Sequence, residues 1–366
     1  MRFAFPAVTF FFFVFFFASA FVAPDFKERI YTWGIVSSFQ SLRSGNCQGE
    51  CRPPGSESLP QGIVTKTSNL QMRPLWGKAK EDGGSFQNLF TMPVGIKQKS
   101  LVNKMVTKFL SSNFSVMLFH YDGIVDVWKD FNWTDKVIHI SARNQTKWWF
   151  AKRFLHPDII ADYDYIFLWD EDLGVENFNP EKYLSIVKRE GLEISQPALD
   201  PGKSEVHQQL TARVRATVHR RTYKPGSCYW NSTAPPCTGW IEMMAPVFSN
   251  AAWRCSWYMI QNDLIHAWGL DYQLGYCAQG DRTKNIGVVD AEYIVHYGRP
   301  TLGGSEENKV GDDNKKSPQP HHLDPRLEVR RQSYKEYAVF RRRWKEAAEG
   351  DQCWADPYKQ ASNSTS

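Results

Sequence analysis

The chain has 366 residues and a net charge of +5, and carries 14 Trp, 15 Tyr and 24 Phe. That length and aromatic content suit one sizeable folded body with a well-buried core. So small a charge fits an anionic cofactor such as a nucleoside diphosphate, and it gives no case for a nucleic-acid partner, which calls for a strongly basic face.

After Met1 and Arg2, the run Phe3–Ala23 is apolar except for Thr9 and Ser19. Roughly 20 such residues suffice to span a bilayer. Ala18-Ser19-Ala20 also resembles a signal-peptidase site, so residues 1–23 read as either a signal anchor or a cleaved signal peptide. Either reading sends the body into the secretory pathway. The expectation is a Golgi membrane protein with a lumenal domain, with a secreted protein as the alternative. The sequons at Asn113, Asn132, Asn144, Asn231 and Asn363 agree with this and are candidate N-glycosylation sites. The seven cysteines suit an oxidising lumen. Cys228 and Cys237 flank a Pro-rich loop that a disulfide would close. Cys47 and Cys51 lack an accompanying His or second Cys pair, so a stem disulfide is expected there rather than a metal site.

Residues 24–85 read as a flexible stem, with the turn-rich stretches Cys51–Gly62 and Glu81–Ser85 and no apolar periodicity. From residue 86 the pattern becomes regular. Leu89–Val94 is a strand, and Leu101, Val102, Met105, Val106, Phe109 and Leu110 fall on one face of a helix. Strands follow at Phe114–His120 and Lys136–Ser141, then a helix at Lys147–Leu155 and a fourth strand at Tyr163–Trp169. Asn179 caps a helix that Gly191 ends, and Leu192–Gln196 is another strand. Such alternation predicts an α/β fold with an open, mixed but mainly parallel sheet and helices on both faces. Beyond it, Ser249 caps a helix expected to run towards Trp268, and Asp290–Tyr297 is a last strand. Residues 303–325 read as a disordered loop. Residues 326–366 form a basic amphipathic helix and tail, docked on the body through Leu327, Tyr334, Tyr337 and Phe340.

The sharpest chemical signal is Asp170-Glu171-Asp172, placed where the fourth strand ends. In an open parallel sheet ligands bind at that edge. Two carboxylates one residue apart offer hard oxygen ligands to Mn2+ or Mg2+, and the ion can clamp a diphosphate. His296, at the end of the last strand, is a candidate third ligand and favours Mn2+. Sugar transfer with inversion needs a carboxylate base; Asp271 and Glu242 are the candidates, with Trp240 and Trp268 available to stack on an acceptor sugar. For phosphate, the basic candidates are Lys152 and Arg153, and a second group at Arg213, Arg215, Arg220, Arg221 and Lys224. Neither a dinucleotide-binding glycine fingerprint, a P-loop nor a nucleophile elbow is present.

Three blocks, Ile166–Asp200, Ser232–Asp271 and Gly275–Gly298, resemble a plant family of unknown function often labelled "lysine ketoglutarate reductase trans-splicing related". That family in turn looks like the GT-A glycosyltransferases. The resemblance implies a GT-A-like catalytic domain over 86–302, a nucleotide sugar as donor and a glycan or glycoprotein as acceptor. It also implies a metal held by Asp170, Asp172 and His296, with Asp170 touching the cofactor. A non-catalytic carbohydrate-binding or scaffold protein on the same fold is the alternative. Glu171, between the two aspartates, departs from the pattern and leaves open which carboxylate holds the ion.

Overall fold

In the computed structural model, which describes residues 52–64, 88–299 and 325–358, strands and helices alternate as expected and build one nine-stranded sheet among those residues. The strands are β1 (Asn88–Val94), β2 (Phe114–His120), β3 (Ile138–Ser141), β4 (Tyr165–Leu168), β5 (Leu173–Gly174), β6 (Ile194–Leu199), β7 (Val218–His219), β8 (Val247–Ser249) and β9 (Ile286–His296). The helices are α1 (Lys99–Leu110), α2 (Lys147–Phe154), α3 (Pro180–Glu190), α4 (Asn250–Met259), α5 (Leu270–Gln273), α6 (Arg282–Asn285) and α7 (Pro325–Gly350). The segment 1–23, Cys47 and Cys51, most of the stem, residues 303–324 and Asn363 lie outside the described residues.

Strand order is β3-β2-β1-β4-β8-β6-β9-β5, with β7 added beside β9. β1, β2, β3 and β4 pair in parallel, and so do β6 and β9. The short β8 is antiparallel to both β4 and β6, so the two parallel sets run in one direction. Every long strand therefore delivers its carboxyl end to the same edge. This is a mixed, mainly parallel α/β sheet with helices, as the alternation predicts.

Side chains alternate across the strands, and each face buries its own core. Leu89, Ile166 and Leu168 enter one core with Trp253 and Trp257, while Phe90, Phe167 and Trp169 enter the other with Phe109 and Tyr183. α1 joins because its apolar residues recur every three or four positions, placing Val102, Met105, Val106 and Phe109 on the buried face. α3 starts at Pro180, capped by the Asn179 side chain, and stops at Gly191, whose φ of 63° suits a residue without Cβ.

Three expectations change. The helix capped by Ser249 ends at Met259, because Ile260 is extended and the Gln261-Asn262-Asp263 turn breaks the register well before Trp268. Residues 52–64, assigned to the stem, pack on α7: Leu59 and Ile63 are buried, and Asp351 accepts from Arg52 and from the Gln61 backbone. A few apolar residues among prolines suffice when a ready-made helix face covers them. α7 docks through Phe340, Trp344 and Ala347, with Ser333 and Glu336 buried beside them, whereas Leu327 and Tyr334 are exposed. The buried stripe thus lies about a quarter of a turn from the one expected, with Phe340 common to both.

Cys228–Cys237 forms the loop-closing disulfide, and Cys255–Cys277, not anticipated, ties α4 to the segment after α5. Among the described residues no helix is long and apolar enough to cross a membrane. Asn113, Asn132, Asn144 and Asn231 are all exposed.

Candidate functional site

β4 carries its apolar run to Trp169 and releases the chain at Asp170-Glu171-Asp172, between the carboxyl ends of β1 and β9. Successive side chains of this turn point different ways. Glu171 turns inward and is fully buried; it accepts the Gly95 N–H (2.7 Å) and the Tyr121 hydroxyl. It therefore braces the turn to the ends of β1 and β2, and burial pushes its carboxyl up to about 8. A side chain on Gly95 would collide with the Tyr121 hydroxyl, so only glycine lets this brace close. Glu171 thus braces the turn from within, while Asp170 and Asp172 take other partners.

Asp172 is brought to His296 by β5, whose Leu173 pairs with His296 across an antiparallel ladder. Asp172 Oδ2 accepts the Arg299 N–H (2.8 Å) and lies 3.5 Å from His296 Nε2. Burial first, then the charge of Asp170, raise its carboxyl above the usual range. His296 Nδ1 lies 3.1 Å from the Glu205 carbonyl. A carbonyl only accepts, so Nδ1 donates to it, and Nε2 is the ring nitrogen turned towards Asp172. That is the arrangement of a metal-ligating imidazole oriented by a backbone acceptor.

Asp170 does not join them. Its Oδ1 is 2.6 Å from Lys147 Nζ, which also donates to the Met243 carbonyl (2.6 Å). Among the described residues no group of three or more His, Cys, Asp and Glu gathers at metal-binding spacing. The expected trio of Asp170, Asp172 and His296 is thus corrected to a pair plus an ion-paired neighbour. The pair, with donors 3.5 Å apart, still has the chemistry to hold a divalent cation that takes its remaining ligands from diphosphate and water.

Glu242 and Asp271 face the same space. The Glu242 N–H is held by Gln196 Oε1 from β6 (2.5 Å), and its carboxylate receives the Thr211 hydroxyl at 3.4 Å. Burial raises it to about 7, opposed by the charge of His296. Asp271 lies in α5, just past Gly269, and accepts the Trp240 indole N–H at 3.1 Å. Its carboxyl is pushed up to about 6 by burial, opposed by that indole and by backbone N–H groups.

The basic candidates resolve differently. Lys152 is buried in the core, donating to the Trp257 carbonyl (2.7 Å) with its ammonium 3.5 Å from the Trp257 ring centroid. Arg153 is buried against Trp149, 4.1 Å from its ring. Neither reaches the strand-end carboxylates, because helical rotation turns both towards α4 and α2's own aromatic face. In the second group, Arg213 stacks on Tyr293 (3.8 Å), Arg220 pairs with Glu190 (3.1 Å) and Arg221 donates to the Trp230 carbonyl. The cation that does stand at the site is Lys147. The Thr146 cap, whose side chain accepts the Trp149 N–H, was the signal for it: it fixes where α2 begins and so which lysine meets the strand ends.

Four carboxylates (Asp170, Asp172, Glu242 and Asp271), one imidazole and one buried ammonium thus line the carboxyl edge of the sheet. Such a set can hold a divalent cation, accept a proton near neutrality and meet a phosphate with a fixed positive charge.

Among solved structures, the chain is similar in fold to S. aureus TarS 1-349, with 10% identity and a TM-score of 0.38 over 57% of this chain and 59% of that one. GlyE, a glycosyltransferase of Streptococcus pneumoniae, aligns with 10% identity and a TM-score of 0.34 over 72% of this chain and 64% of that one. The mannosyltransferase Ktr4p of S. cerevisiae aligns with 10% identity and a TM-score of 0.24 over 41% and 49% of the two chains. The chain thus spans less than two thirds of each of these structures. None of the curated proteins matches it. Residues 50–350 match the family described as "Protein of unknown function (DUF707)", and the chain belongs to that family.

Proposed function

We propose that this cleft binds a nucleoside-diphosphate sugar and transfers its sugar to a hydroxyl of a glycan or glycoprotein in the secretory pathway. The observation that carries the reading is the convergence of Asp172, His296, Asp170, Lys147, Glu242 and Asp271 at the edge where parallel strands end.

Asp172 and His296 would hold the cation, Mn2+ or Mg2+, whose charge would offset that growing on the departing diphosphate. Lys147 has three N–H donors and uses two on Asp170 and Met243, so the third is available to a phosphate oxygen. Asp271 is assigned as the base that takes the acceptor proton, since a carboxyl near 6 is mostly ionised at neutral pH yet basic enough to share a proton. Glu242, between Asp271 and the donor end, orients the sugar through its carboxyl group. The Cys228–Cys237 and Cys255–Cys277 disulfides suit an oxidising lumen.

Calorimetric titration of the intact chain with UDP and GDP, with and without Mn2+, tests the reading. Binding of one of them should strengthen with the metal, and Asp172→Asn or His296→Ala should abolish that strengthening. Asp271→Asn should leave binding in place and slow transfer by about 10²–10⁴-fold. Folded protein that binds neither nucleotide would sink the transferase reading in favour of the non-catalytic carbohydrate-binding one.

A further inference from the structure

Exposed aromatic rings normally lie scattered over a surface, yet three of them gather beside Asp271. Tyr272 is 37% exposed, Trp268 39% and Tyr334 58%. Trp268 and Tyr334 come from different segments, and their rings meet edge to face with centroids 4.9 Å apart. Tyr272 stands next to Asp271 and 6.4 Å from the ring of Trp240, the residue whose indole holds the Asp271 carboxylate. The rows join through Tyr337, which packs on Gly269: a Cβ there would lie 2.5 Å from the Tyr337 ring. Gly269 also has a φ of +93°, so both its conformation and its neighbour exclude a side chain. The result is an aromatic shelf running from the proposed base out onto α7.

The charge that α7 brings to the shelf is one-sided. Arg330, Tyr334, Tyr337 and Arg341 sit at i, i+4, i+7 and i+11, which is one stripe of a helix. Both arginines are exposed, and the Arg341 guanidinium lies 5.6 Å from the Tyr337 ring. Among the described side chains, the other exposed cations of α7 are Arg331, Lys335, Arg342 and Lys345; Arg331 is engaged by Glu328 at 2.9 Å, Arg342 by Glu346 at 3.8 Å and Lys345 by Glu349 at 3.8 Å. The stripe that borders the shelf thus pairs aromatic faces with guanidinium groups and holds no carboxylate of its own. Aromatic faces suit the C–H faces of pyranose rings, and fixed guanidinium groups suit carboxylates bidentately.

We infer that the shelf formed by Tyr272, Trp268, Tyr334 and Tyr337 with Arg330 and Arg341 binds an acidic glycan, a chain of uronate-bearing pyranoses, as the acceptor. This rests on the transferase reading of the neighbouring cleft, while the binding itself does not require it. Asp271 would meet the hydroxyl at the chain's end, and the carboxylates of later sugars would reach the α7 stripe.

The test is binding of an oligogalacturonate to the intact chain, against a neutral glucan oligomer of equal length, with UDP binding in Mn2+ measured on the same samples. The acidic oligomer should bind more tightly, and added salt should weaken it. Tyr334→Ala or Trp268→Ala should weaken it about tenfold, as for one lost stacked ring. Arg330→Glu with Arg341→Glu should erase the preference for the acidic chain and leave UDP binding unchanged. Equal binding of the two oligomers, or no response to the charge reversal, would overturn the inference while leaving the nucleotide site standing. Loss of UDP binding with the glycan preference intact would sink the transferase reading and leave the shelf.

Discussion

The two sides of the cleft are made by different means. On the β1–β4 side, Asp170, Asp172 and Lys147 stand on strand ends and a helix start backed by the aromatic core, in which Phe109 stacks on Phe90 with centroids 3.7 Å apart. On the other side, Glu242 and Trp240 ride on the irregular chain between β7 and β8, and Asp271 on the four-residue α5. There the fastening is piecewise: two disulfides, the His266–Glu336 contact at 2.9 Å and the Asp263–Arg343 pair at 2.6 Å. The first side draws its geometry from packing, which is collective, and the second from cross-links, which are separable.

The comparison breaks first at the core. Phe109 touches Phe90, Phe114, Phe167, Trp169 and Phe178, so Phe109→Ala should cost about 3–5 kcal/mol and remove nucleotide and glycan binding together. Chemical denaturation followed by tryptophan fluorescence measures it. The paired change Cys255→Ala with Cys277→Ala opens a 22-residue separation and should cost about 3 kcal/mol. Its mark is selectivity: glycan binding should suffer more than UDP binding in the same calorimetric titrations. The smallest effect is on pH. As the proposed base, Asp271 would act ionised, and its carboxyl is raised to about 6, so kcat/KM should hold above pH 6 and fall about tenfold per unit below it. Asp271→Asn should flatten that acid limb, and a limb unchanged by the substitution would pass the role of base to Glu242.

The strand ends were legible in sequence because period-two burial and turn chemistry are local. Asp170, Asp172 and His296 could each be placed at the carboxyl edge without knowing their partners. Side-chain direction was not local. Lys147 and Lys152 belong to one short helix and look alike on paper, yet one meets Asp170 and the other lies over Trp257. Five residues turn a helix through about 140°, so only the helix start and the sheet beneath it decide which lysine serves the cleft. Arg153 failed for the same reason. The α7 stripe was misjudged because its amphipathic pattern is weak: aromatic Tyr334 is exposed where aromatic Phe340 is buried, and the buried Ser333 and Glu336 carry no apolar signal.

The inward turn of Glu171 has an electrical consequence. A carboxyl titrating near 8 keeps its proton at neutral pH, so Asp170-Glu171-Asp172 presents two negative charges where a reading of its letters counts three. One of the two is answered by Lys147 from within the protein. The proton on Glu171 thus spares the turn one negative charge at the place where the proposed diphosphate would arrive. Glu171→Gln would keep that valence fixed at every pH, and the native side chain lets alkaline conditions add one more negative charge behind the turn.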